Sequence, residues 1–210
     1  MWWAAKNLAL ATLVATAATA EPAQGQTSRL AVPGHPPLLT TNRTLLASLK
    51  RISEGSPLWR EAMKAVRTTG RQAVILTPAD IDMVGRRDRY AFEDNALAEA
   101  FPVYDSDSRI ASVVVVVNLR LIQRLHDSRL SVPRDFEGDL DRILVHEVYG
   151  HAVPYLLAGD VRGRCADPET GENASHACSI VRENAVRAQL GLGLRSDYGL
   201  SGLTLASQSR

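Results

Sequence analysis

The chain has 210 residues, 45% of them hydrophobic and only 5% aromatic, with 24 lysines and arginines against 23 aspartates and glutamates. That length and apolar content are enough for one domain with a real, mainly aliphatic core. The balanced charge, with no basic run and no interleaved aromatic set, excludes a phosphate-tracking surface, so no nucleic-acid partner is expected.

Residues 1–20, MWWAAKNLALATLVATAATA, carry one lysine, Lys6, an apolar run from Leu8 to Val14 and the small-residue ending Ala18-Thr19-Ala20. This is the pattern of a secretory signal peptide. The run falls short of the roughly 20 apolar residues that span a bilayer. No cysteine follows the expected cut, so neither stable membrane insertion nor a lipid anchor is expected. Cleavage removes Lys6 and no acidic residue, leaving 23 basic and 23 acidic residues in a periplasmic or secreted protein.

Residues 21–41 are rich in Pro, Gly and Gln without periodicity and predict a flexible N-terminal segment, with His35 solvated beside Pro36. The domain is expected over 42–205, followed by a short tail, 206–210. Leu45, Leu46, Leu49 and Ile52 form one stripe of a helix over Asn42–Glu54 with Gly55 at its end. Ser56 and Pro57 then read as N-cap and first-turn proline of a second helix closed by Gly70.

Arg71 to Pro78, RQAVILTP, predicts a short strand ended by proline, and Val84 to Tyr104 offers short strands near Tyr90–Phe92 and Pro102–Tyr104. Ile110 to Val117 includes five consecutive valines, which predicts a core strand covered on both faces. Helical spacing returns in NLRLIQRLHD, where His126 falls at the polar end as a solvated residue or a helix-dipole partner. Cys165 and Cys178 are the only cysteines, and in an exported chain they predict one disulfide closing the loop between them.

From Phe136 a helix should run to a stop at Gly159, and it holds the densest chemistry in the chain, His146-Glu147-Val148-Tyr149-Gly150-His151. Zinc peptidases carry H-E-x-x-H on a helix, histidines four apart on one face and the glutamate as general base. Here the histidines are five apart, which in a regular helix leaves them roughly 140° apart around the axis. One wide turn removes the mismatch, since a π-bulge absorbs one extra residue. Gly150 and Pro154 favour it, the first by flexibility and the second because its missing N–H leaves a carbonyl one turn back without its usual partner. Hydrogen-bonded core histidines are the bland alternative.

A catalytic zinc site takes three protein ligands and one open position. The next helix, from Ser175 to Gly191, offers Glu183, 32 residues after His151. Its competing role is an i,i+4 ion pair with Arg187 on the surface. Glu172, Asp160 and Asp167 lie in the cysteine loop, where little would hold them.

The order His146-Glu147…His151, then Glu183-Asn184…Arg187, then Arg195…Tyr198 resembles the gluzincin group of zinc metallopeptidases, especially small bacterial effector- and toxin-type members. The extra residue resembles the H-E-x-x-G-H variant of dipeptidyl peptidase III. The likeness covers about Val113 to Tyr198, and nothing in the N-terminal third looks like that larger enzyme. It implies a zincin-like α+β fold, a small mixed sheet packed on an active-site helix followed by a second ligand-bearing helix. It further implies Zn²⁺ held by His146, His151 and Glu183, with Glu147 as general base on a peptide or protein substrate. Tyr198 would stabilise the oxyanion with Arg187 in support, Tyr149 and His176 being rivals, and the valine strand would be the edge-proximal strand along which an extended peptide lies. The competing class is a non-catalytic exported binding protein on the same scaffold.

Overall fold

The computed structural model describes residues 37–83, 96–128, 136–159 and 175–195. The expected signal peptide, His35, the strand near Tyr90–Phe92, the acidic residues of the cysteine loop, Cys165, Tyr198 and the tail lie outside these residues.

In chain order the elements are β1 (Leu38–Leu39), α1 (Arg43–Gly55), α2 (Pro57–Thr68), β2 (Gln72–Leu76), α3 (Pro78–Met83), β3 (Ala98–Tyr104) and β4 (Ile110–Val117). There follow α4 (Leu119–Ser128), α5 (Phe136–Leu144), a π-helical stretch (Val145–Ala152), α6 (Val153–Ala158) and α7 (Ser175–Gln189). The fold is mixed α+β. Its four-stranded sheet has the order β1-β2-β4-β3, with β1, β2 and β4 parallel and β3 antiparallel to β4.

β4 explains why five valines stand in a row. Val113, Val115 and Val117 enter the main core under the helices, while Val114 and Val116 pack with Ile81 and Val103 on the opposite face. Ile81 comes from α3, an element the sequence reading did not anticipate. Pro78 ends the strand as expected and also opens this helix. Thr77 caps it, its N–H and its hydroxyl each donating to Asp80 Oδ2 at 2.7 Å.

One further expectation is corrected. The segment up to residue 41, expected to be flexible, contributes Leu38 and Leu39, which pair in parallel with β2, and Leu38 is buried. Two leucines after the prolines supply enough apolar surface for an edge strand, which the Pro/Gly-rich stretch before them hid. The valine strand is edge-proximal as expected: it lies between β2 and β3, so among the described residues the outer strand beside it is β3.

The helix N-termini match their caps. Asn42 Oδ1 accepts from the N–H groups of Thr44 and Leu45, and Ser56 Oγ accepts from Trp59 at 3.1 Å. Helix α1 then holds α5 in place through a buried polar tie. Arg51 Nη2 and Nε reach Asp141 at 2.9 and 3.2 Å, and Ser48 Oγ donates to the same carboxylate. His126, expected to be solvated, is half-buried edge-on to Phe136, its Nδ1 3.4 Å from Asp139, and so links α4 to α5.

Residues 136–158 form one continuous helical rod lying against β3 and β4. Its end is set by Gly159 at φ +76° and by Arg71 Nη1, which donates to the Leu156 carbonyl at 2.8 Å. The left-handed backbone at Gly159 is what favours glycine, and a Cβ there would also displace the Arg71 guanidinium, which lies 2.7 Å away. No helix among the described residues is long and apolar enough to cross a membrane.

Candidate metal centre

The helix widens where the histidine spacing demands it. Val145–Ala152 is π-helical, with the Val153 N–H reaching back five residues to the Val148 carbonyl. Widening brings the fifth residue onto the face of the first, and the rings of His146 and His151 stand perpendicular with centroids 4.8 Å apart. The carbonyl of Gly150, which in an α-helix would take the N–H that Pro154 lacks, accepts instead from Ser179 Oγ at 3.2 Å. Gly150 also allows the approach, since a Cβ there would lie 3.3 Å from that of Ser179.

Helix α7 stands behind both histidines. Ser179 Oγ is 3.3 Å from His151 Nδ1, and with its single proton given to Gly150 it accepts from an Nδ1–H. Glu183, four residues on, meets His146 Nδ1 with Oε2. Each contact places the proton of a neutral ring on Nδ1 and the lone pair on Nε2, the arrangement by which outer carboxylates and hydroxyls orient metal-binding histidines.

Glu183 has both carboxylate oxygens engaged. It is fully buried, its Oε1 takes Arg187 Nη1 at 3.0 Å with Arg195 Nη1 at 3.7 Å, and its Oε2 is spent on His146. Here it is the carboxylate that holds His146. Arg187, expected to support the reacting groups, is the counter-ion of Glu183. The i,i+4 pair anticipated at the surface is present, but with Arg187 only 3% exposed. Burial pushes the Arg187 guanidinium below its ordinary value and Glu183 pulls it back. Asn184 completes the motif by clamping the returning chain: its Nδ2 donates to the Arg195 carbonyl at 2.7 Å and its Oδ1 accepts from the Arg195 N–H at 2.8 Å. That clamp brings the Arg195 side chain back to Glu183.

Glu147 is buried beside the histidines, with Oε1 3.9 Å from His146 Nε2. Burial raises its carboxyl from 4.5 to about 7; His146 and Arg195 oppose the shift, while Glu99 and Glu183 add to it. A carboxyl poised near neutrality is suited to taking and returning a proton.

Of the tyrosines, Tyr149 stacks on Trp59 with ring centroids 6.2 Å apart, which is the packing role. Tyr155 was missed. Its ring lies 6.4 Å from that of His151, and its hydroxyl is held above its ordinary pKa first by burial, then by Glu147 and Tyr104. Its signal in the sequence is the position four after His151, which keeps the same helix face once the wide turn has passed. Ser179 had a similar signal, four before Glu183. Tyr198 lies outside the described residues, and so does the side chain of His176.

Cys178, in the first turns of α7, is disulfide-bonded. Its expected partner, Cys165, is outside the described residues.

Two clustered imidazoles with oriented Nε2 atoms fit zinc, which favours nitrogen donors. The expected trio is not assembled: among the described residues no three His, Cys, Asp or Glu side chains form a group able to hold a metal ion. Comparison with known proteins adds nothing to this geometry, since no family model, no curated protein and no solved structure matches the chain.

Proposed function

We propose that this chain is a zinc-dependent metallopeptidase with a zincin-like arrangement, exported by the segment at residues 1–20. The observation that carries the reading is the π-helical stretch, which brings His146 and His151 to 4.8 Å and keeps Glu147 beside them. A helix has no packing reason to widen around two polar rings, and π turns recur at functional sites.

In this reading His146 and His151 hold the metal, with Glu147 beside them as the group that moves the proton. Zinc, when bound, supplies Lewis-acid polarisation of a carbonyl and a lowered water pKa. Glu147 takes the proton of the attacking water and passes it to the leaving amine. Tyr155 offers its neutral hydroxyl to the developing oxyanion, a role first assigned to Tyr198. Strand β3 runs along this face, with Glu99 near Glu147 and Tyr104 near Tyr155, so an extended peptide would add to β3 by strand pairing.

Ser179→Ala is expected to lower zinc affinity by about 10–100-fold, because His151 loses the group that sets its tautomer. Competition against a chromophoric chelator measures it, and an unchanged affinity would remove Ser179 from the site.

A second reading, a non-catalytic exported binding protein on the same scaffold, is favoured by one observation, the commitment of Glu183 to His146 and the arginines. Cleavage of a peptide pool by zinc-loaded protein separates the two. Cleavage that stops on chelation and returns with zinc supports the peptidase, whereas a fully loaded protein that cuts nothing supports the binding protein.

A further inference from the structure

Beside the rod lies a half-open cavity of about 310 Å³ between α2, α6 and α7. Its walls include Ala62, Val153, Pro154 and Leu157, and two polar side chains, Tyr149 and Arg182, enter it. Among the described residues neither the Arg182 guanidinium nor the Tyr149 hydroxyl has a hydrogen-bond or ion-pair partner. Every other described arginine of α7 and the segment after it is committed, Arg187 and Arg195 both to Glu183. Leu157 is 42% exposed at the cavity, an apolar side chain left toward solvent.

We propose that this cavity binds a small carboxylate with an apolar body, its charge held by Arg182 and Tyr149 and its body by Val153, Pro154 and Leu157. An apolar concavity with a few convergent donors is the usual form of a small-molecule site, and this volume is at the lower end of the range of about 300–1,000 Å³. Charge selects an anion, because no described acidic side chain pairs with Arg182. A planar guanidinium beside a hydroxyl matches a carboxylate's two oxygens. The Tyr149 phenol is an O–H donor to the second carboxylate oxygen. The site does not depend on a metal or on the peptidase reading.

The chemistry is shared by a free aliphatic acid and by the C-terminal residue of a peptide, and calorimetric titration of the purified protein distinguishes them. 4-Methylpentanoate represents the first, N-acetyl-leucine the second, and N-acetyl-leucinamide is the neutral control. Binding of either acid, with the amide and the Arg182→Gln variant each weaker by about tenfold or more, is the expected result. Preference for N-acetyl-leucine assigns a peptide C-terminus, and preference for 4-methylpentanoate assigns a free acid. Tyr149→Phe, which keeps the ring on Trp59, should weaken binding a few-fold. The proposal is overturned if neither acid binds at millimolar concentration, if the amide binds equally well, or if Arg182→Gln changes nothing while circular dichroism shows it folded.

Discussion

Glu147→Gln is expected to lower peptide turnover by about 10²–10⁴-fold while the protein keeps its metal. Gln keeps the shape of the side chain and loses only the ability to take a proton, so a general base and a structural residue are told apart. The same substitution should stabilise the metal-free protein. The folded-state carboxyl is raised from 4.5 to about 7, so between those values the native state holds a proton that the unfolded state has released. Stability therefore falls as pH rises through that window, by up to about 3 kcal/mol above it. Glutamine does not titrate, so in chelator-treated samples the variant should melt higher than wild type at pH 8 and lose that advantage near pH 4.5. Turnover unaffected by the substitution would remove Glu147 from the chemistry, and equal melting at both pH values would remove the buried charge.

The second large effect is expected at Glu183→Ala. Arg187 is 3% exposed and its Nε has no partner among the described residues, so removing the carboxylate leaves a buried guanidinium uncompensated. Breaking such a pair costs about 3–5 kcal/mol, a large part of the total stability of an ordinary domain. Urea denaturation should show a lower midpoint with an unchanged slope. Replacing both partners, as in Glu183→Leu with Arg187→Met, should recover much of the loss because no charge remains to be solvated. A loss below about 1 kcal/mol for Glu183→Ala would mean that solvent reaches the cluster.

Much of the architecture was legible in the sequence because local chemistry and packing agree. Asn42, Ser56 and Pro57 start helices where capping predicts, and the valine run of β4 is buried on both faces because α3 covers one and the helices the other. The five-residue histidine spacing, read with Gly150 and Pro154, foretold the wide turn. What stayed hidden depends on long-range neighbours. Nothing local in Glu183 shows that its carboxylate meets both His146 and two arginines, since Arg195 is brought back only by Asn184. Ser179 reads as an ordinary helix serine until Gly150 opposes it. The place of β4 inside the sheet, and of β3 outside it, follows from strand pairing that no valine count reveals.

Metal content of the purified protein by elemental analysis, beside His151→Ala, tests the central claim most directly. On the proposed reading the wide turn lets two histidines share one ion, so about one zinc per wild-type chain and none in the variant is the predicted result. A folded wild type that contains no zinc and takes up none when it is supplied would contradict the account, and the histidines would then be core residues held by Glu183 and Ser179.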